Sequence, residues 1–185
     1  MSRTIRRLAL ALALSCSLAL HAAGADSQWV LEQSTLTYHV SHPLHESEGV
    51  THAARGKGVC HAGQCEFLIA APVKSFDSGD SNRDLHMIQV TRAGQFPLVT
   101  VRTSLPETAA AGSTILADLQ VELAGRTVSY KQIPFEQSAR DGATRITGTI
   151  PATLSDFKID PPSLFAIPVK NEMPVRVEMT WRKQS

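Results

Sequence analysis

The side chains best suited to chemistry sit in two places. One is the acid-rich run "SFDSGDSNRDLHM", Ser75 to Met87, which carries Asp77, Asp80, Asp84, Arg83 and His86. The other is the stretch from His39 to Cys65, which holds His39, His42, His45, His52, His61 and a cysteine pair. Three chemistries deserve a test: calcium binding, transition-metal binding and recognition of a polar head group. A calcium loop needs alternating oxygen ligands and a downstream bidentate Glu. Asp77, Asp80 and Asp84 lack that spacing. The run reads instead as a turn at Asp77–Ser78 and a short helix over about Asn82 to Thr91, ended by "AGQFP". Ser81 or Asn82 would cap it, and Asp84 in the first turn suits the positive end of the dipole. Adjacent helical residues point about 100° apart, so Arg83 and Asp84 must each bond to other elements. His86 is then the residue placed to meet a ligand, and Leu85, Met87 and Ile88 would plug one end of whatever the helix covers.

His39 and His42 lie three apart in an extended run and face opposite sides. His42 and His45 flank Pro43 and can converge at a strand end. With His52 and the cysteines they make an alternative: a metal- or redox-linked accessory protein. The cysteine spacing is not C-x-x-C, however, and no second ligand pair follows. Cys60 and Cys65 bracket "HAGQ", a good hairpin tip, and strands leaving that tip set them opposite one another for a disulfide. No G-x-S-x-G, H-E-x-x-H or G-x-x-x-x-G-K motif is present. The chain is therefore read as a non-enzyme that uses no cofactor and no metal.

The 185 residues begin with Arg3, Arg6 and Arg7, an apolar run from Leu8 to Leu20, and "HAAGA". That order reads as a secretory signal peptide over residues 1–25, leaving one domain over 26–185. Cys16 follows "ALS", a poor lipobox. Cleavage takes the formal net charge from +1 to −2. A nearly neutral chain with scattered charge has no footprint for nucleic acid. The apolar run falls short of the roughly 20 residues of a membrane span, so no stable span is expected after cleavage. Export to the periplasm meets an oxidising compartment, where a disulfide is the default. A homodimer stays open.

Period-two alternation dominates the rest. Leu36, Tyr38, Val40 and His42 share a face against Thr37, His39 and Ser41. Ile115, Ala117, Leu119, Val121 and Leu123 oppose Asp118, Gln120 and Glu122. Ile146, Ile150 and Leu154 form another apolar set, and Val175, Val177, Met179 and Trp181 oppose Arg176, Glu178, Thr180 and Arg182. Strands with one wet face are antiparallel. Further strands fit Thr51 to Cys60, Cys65 to Phe76, Leu98 to Ser104 and Thr127 to Phe135. About eight such strands close most readily into a barrel, because closure removes the edges. Aromatic content is only 5%, and inward Val, Leu, Ile, Ala and Gly, Gly148 and Ala152 among them, leave room inside.

The order of motifs resembles the YceI-like family, exported lipocalin-like barrels that bind lipids or isoprenoids. "WVLEQSTLTYHVSH" is similar to the family's opening tryptophan and first strand, and "PVKSFDSGDSNRDLHM" to its turn and Arg-Asp-x-His segment. "QFPLVTVRTS", "ADLQVELAGRTVSY" and "LSDFKI" resemble the next strand, a hairpin and an Asp-Phe-Gly-Ile element. The chain departs in its cysteine pair, in its added histidines, and in Lys158 where the family has glycine. The resemblance implies an all-β, antiparallel eight-stranded lipocalin-like barrel with a short helix covering one end. It implies an apolar lipid-like partner: an isoprenoid, a quinone-like compound, or a fatty amide or acid. Tyr38, Val40, His42, His86, Met87 and Phe96 are the residues expected to line its site. A filled barrel serving as a ligand-free interaction module is the other reading.

Overall fold

The computed structural model describes residues 26–164 and 166–184; the expected signal peptide lies outside them. Alternating segments become β1 (Ser27–His42), β2 (His45–Thr51), β3 (Arg55–His61), β4 (Gln64–Pro72), β5 (Leu98–Pro106), β6 (Thr114–Leu123), β7 (Arg126–Arg140) and β8 (Ala143–Ile150). A two-stranded flap, β9 (Ser163–Leu164) and β10 (Ile167–Pro168), precedes β11 (Val175–Gln184). One helix, α1 (Ser81–Val90), joins β4 to β5.

The strand order is β11–β8–β7–β6–β5–β4–β3–β1, and β1 pairs back onto β11. All these pairings are antiparallel, so the sheet closes into an eight-stranded barrel. The strand expected over Thr51 to Cys60 is in fact divided. β2 pairs with the later half of β1 and β3 with its beginning, and the chain breaks between them at residues 52–54. Thr51 holds this break: its hydroxyl accepts from Ala53 N at 3.1 Å and bonds Ser75 Oγ at 2.7 Å. Beyond the break, Val50 and Asp77 exchange two backbone hydrogen bonds of 2.9 Å. The segment leading into α1 thus continues the wall where β4 has ended.

The barrel has two dissimilar ends. At the disulfide end lie the turns at residues 62–63, 107–113 and 141–142. At the helix end lie α1, the β1–β2 turn, the β6–β7 turn and the long connection over residues 151–174. Asp156 organises that connection. Its carboxylate accepts from Thr153 N at 3.0 Å and from the Tyr130 hydroxyl at 2.7 Å. Phe157 beside it is only 1% exposed.

Two bulges adjust the wall. In β1 the register against β11 shifts at Glu32, and the inward parity changes with it. Ser27 and Leu31 are buried before the bulge, Ser34 and Leu36 after it. A bulge bends the strand and re-aims its side chains. In β6 and β7 the register shifts between Ala117 and Leu119. Asp118 caps the irregularity, accepting from Gln132 N at 3.0 Å and from Lys131 Nζ at 2.8 Å.

Candidate ligand-binding site

The inward faces enclose an apolar cavity of about 670 Å³ that runs from one end of the barrel to the other. Trp29, Phe67 and Gln137 line it at the disulfide end. Ile69, Val101, Leu119 and Val177 line its middle, and Met87 and Val90 of α1 reach it at the helix end. A volume of this size lies within the range of about 300–1,000 Å³ typical of small-molecule sites.

Glycines explain how a wall with several aromatic rings still leaves such a lumen. Tyr38 stands directly across from Gly49, Phe67 from Gly58 and Phe135 from Gly148. At each of these glycines an added Cβ would overlap the ring. The rings therefore lie flat against neighbouring backbone, as a strand glycine permits. Trp181 approaches Gly56 in the same way and meets Phe67 edge-on at 5.2 Å.

The Cys60–Cys65 disulfide is formed. The two residues are directly paired across the β3–β4 hairpin. Both are buried, and Cys65 lines the cavity.

Of the residues expected at the site, Tyr38, Val40, His42, His86 and Met87 all line the cavity near the helix end. Tyr38 packs on Phe76 with ring centroids 5.6 Å apart. Burial chiefly, and then the Asp84 carboxylate, raises its phenol above the ordinary value of 10.0, with Arg83 opposing. His42 is 4% exposed. Leu44 N donates to its Nδ1 at 3.2 Å, so its Nε2 carries the proton and donates to the Ile167 carbonyl at 3.2 Å. The ring thereby ties the β1–β2 turn to the β9–β10 flap. His86 is an exposed residue on the rim, and Met87 is half-buried beneath it.

Phe96 corrects the expectation. It does not reach the cavity but covers Gly125 at the β6–β7 turn, with the Arg92 guanidinium 5.1 Å above its ring. Arg92 also donates to the Ala124 carbonyl. The pull of a glycine turn and a cation on the outer surface takes the ring away from the lumen. Leu85 and Ile88 are likewise no plug: Leu85 is 57% exposed, neither lines the cavity, and the apolar contacts of α1 with it come from Met87 and Val90. The helix cap also differs from expectation. Asp80, rather than Ser81 or Asn82, is the N-cap, accepting from Asn82 N at 2.9 Å and Arg83 N at 3.0 Å.

Arg83 and Asp84 each bond elsewhere, as their angular separation requires. Asp84 Oδ1 accepts from Ser78 N at 3.1 Å and Ser78 Oγ at 2.6 Å. Arg83 donates to the Ser78 carbonyl at 3.0 Å, to Ser78 Oγ at 3.1 Å, and at 3.4 Å to Ser47 Oγ of β2. The pair pins the start of α1 to the barrel rim.

The histidines of the metal alternative do not gather. His42 and His45 approach, with ring centroids 5.0 Å apart. His52 turns to Ser34 O and Thr35 Oγ1, each at 3.1 Å. His39 faces outward onto Glu46 and Glu48, and His61 onto Asp26. Among the described residues no three His, Cys, Asp or Glu side chains come together as a metal site.

Trp29, Phe67, Phe135 and Trp181 were not expected to shape the site. One signal for Phe67 was available: a Cys60–Cys65 cross-strand pair forces residue 58, a glycine, opposite residue 67.

No protein-family model and no curated protein matches the chain. Solved structures do. A polyisoprenoid-binding domain from Saccharophagus degradans aligns with a TM-score of 0.69 at 14% identity, over 84% of this chain and 98% of that one. Burkholderia cenocepacia BcnA aligns with a TM-score of 0.67 at 14% identity, over 80% and 95%. A Campylobacter jejuni YceI protein aligns with a TM-score of 0.51 at 12% identity, over 65% and 72%. At these identities the likeness establishes the fold: the chain has the YceI-like barrel.

Proposed function

We propose that the protein holds one long apolar molecule, an isoprenoid or fatty chain with a small head group, in the lumen of its barrel. The observation that carries this reading is the continuous apolar cavity of about 670 Å³. Binding is non-covalent. Each methylene removed from water contributes about 0.8 kcal/mol, whereas association costs at least about 4 kcal/mol in lost freedom. On the order of ten methylene equivalents must therefore be buried before binding is useful, which selects long chains. Tyr38, Val40, His42, His86 and Met87 meet the ligand near the helix end, where polar groups fix the head.

The disulfide supports an oxidising compartment, and the periplasm is the location the amino-terminal residues favour. Among the described residues no helix is long and apolar enough to cross a membrane. Carriage, storage or shielding of a lipid needs only such a lumen. The polyisoprenoid-binding domain that shares the fold is in keeping with this ligand class.

Native mass spectrometry of protein purified without detergent tests the reading. A co-purified apolar mass, or stoichiometric uptake of added geranylgeraniol, is expected. Protein that carries nothing and takes up no prenyl chain would overturn it.

A further inference from the structure

The helix-end mouth carries most of the polar groups that a ligand's head could meet, Tyr38, His45, Asp80, Asn82, Arg83 and His86 among them. Arg83 is the only Lys or Arg among the described residues lining the cavity. Its guanidinium is already committed to Ser78 and Ser47. The amino terminus of α1 is the other feature that attracts anions, and the Asp80 carboxylate already occupies it. The hydrogen bonds from Arg83 N and Asn82 N hold that carboxyl below its ordinary value of 3.8, so it stays charged at neutral pH. A second carboxylate, Glu107, lines the far end. An anion entering this lumen would therefore meet one cation, Arg83, whose donors are already turned to Ser78 and Ser47, with the Asp80 carboxylate beside it.

Uncharged hydrogen-bonding groups remain. Tyr38, Asn82, His45 and His86 line the same mouth. None of their side chains is hydrogen-bonded to another protein group among the described residues. Tyr38 is held in place by Gly49 and Phe76, which leaves its hydroxyl as a fixed donor.

We propose that this mouth selects an uncharged polar head, such as a carbonyl or hydroxyl, over a phosphorylated or carboxylate one, through the Tyr38 hydroxyl and the side chains of Asn82, His45 and His86. The proposal rests on the lumen-binding reading and narrows its ligand to neutral amphiphiles. A diphosphate must give up strong hydration on entry, and a single Arg83 that is held by Ser78 and Ser47 beside the Asp80 carboxylate replaces only part of it. A carbonyl gives up little and gains a hydrogen bond from Tyr38.

Three probes with one chain test it: geranylgeraniol, its methyl-ketone analogue and geranylgeranyl diphosphate. Affinities are measured in buffer well above the ordinary imidazole range of about 6.5. The alcohol and ketone are expected to bind at least about tenfold more tightly than the diphosphate. Tyr38→Phe should weaken the ketone by about threefold to tenfold and leave the hydrocarbon squalene unchanged. Asp80→Asn keeps a capping side chain but removes its charge, and should improve the diphosphate several-fold without affecting the alcohol. Solubility differences between probes cannot produce those two variant effects. A diphosphate that binds as tightly as the alcohol, or is indifferent to Asp80→Asn, overturns the proposal. So does a ketone indifferent to Tyr38→Phe. If no prenyl chain binds, the lumen reading itself falls and this proposal with it; if all bind and the diphosphate binds best, only this proposal falls.

Discussion

Tyr38 and Gly49 face each other across the β1–β2 ladder, and the tyrosine ring occupies the space where a side chain on residue 49 would stand. The width of the lumen at the helix end depends on that pairing. Gly49→Ala should push the ring into the cavity, with an overpacking cost of about 1–3 kcal/mol. Urea denaturation would read the lost stability. Titration with geranylgeraniol would read the narrowed site as weaker binding.

Filling the lumen should separate binding from folding. Ala117 is buried and lines the cavity at mid-barrel. Ala117→Trp projects a large apolar side chain into space meant for a ligand. Affinity for a prenyl chain should fall by more than about tenfold, since several methylenes at about 0.8 kcal/mol each lose their place. The circular dichroism spectrum should remain that of the barrel. Unaltered affinity would place the ligand elsewhere.

The disulfide closes a very short loop, so its effect on the unfolded chain is modest. Chain-entropy arguments give about 2 kcal/mol for a loop of this length. The paired Cys60→Ser, Cys65→Ser variant should lose about that much stability and still fold, because β3 and β4 remain paired along their length. Denaturation with and without reductant measures it.

Acid should destabilise the fold through a few carboxylates. The ammonium of Lys131 and the two hydrogen bonds from Gln132 hold Asp118 at about 2, against an ordinary 3.8. Asp156, hydrogen-bonded by Tyr130 and Thr153, is lowered as well despite an opposing effect of burial. Depressed values in the folded state mean that the unfolded chain binds more protons at low pH. Their contribution is complete above the ordinary carboxylate value and is lost as pH falls from about 4 toward 2. Asp118→Asn should flatten the dependence of the urea midpoint on pH in that window. A slope equal to the parent's would show that Asp118 takes no part.

Lys158 occupies a left-handed conformation, with φ 55°, just after Phe157. A residue with a Cβ is strained there and glycine is not. Lys158→Gly should raise stability by about 0.5–1 kcal/mol after allowing for the freer unfolded chain. Thermal melts would show it. The glycine of the family pattern at this place thus has a backbone reason.

Much of the wall was readable. Alternation in the segments that became β6, β8 and β11 marked their inward faces, and Tyr38, Val40 and His42 share one face as their parity demands. The paired cysteines announced both a disulfide and the register of one hairpin. The cap of α1 was missed because Asp80, Ser81 and Asn82 all have capping chemistry, and only the backbone path decides among them. Phe96 was misplaced for a related reason: its partners, Arg92 and Gly125, come from a helix end and a distant turn.

Sequence alone determined that this chain is an antiparallel barrel with a wet outside, an oily inside and a stapled hairpin. Those properties follow from a two-residue period and from near neighbours, which local stereochemistry dictates. Tertiary structure alone decided that the inside is a lumen and not a filled core, where the Glu32 bulge reverses the inward face, and which polar groups at the mouth remain available. The bulge is set by the register of β1 against β11, strands at opposite ends of the chain, and the lumen and its mouth exist only once that pairing has closed the wall.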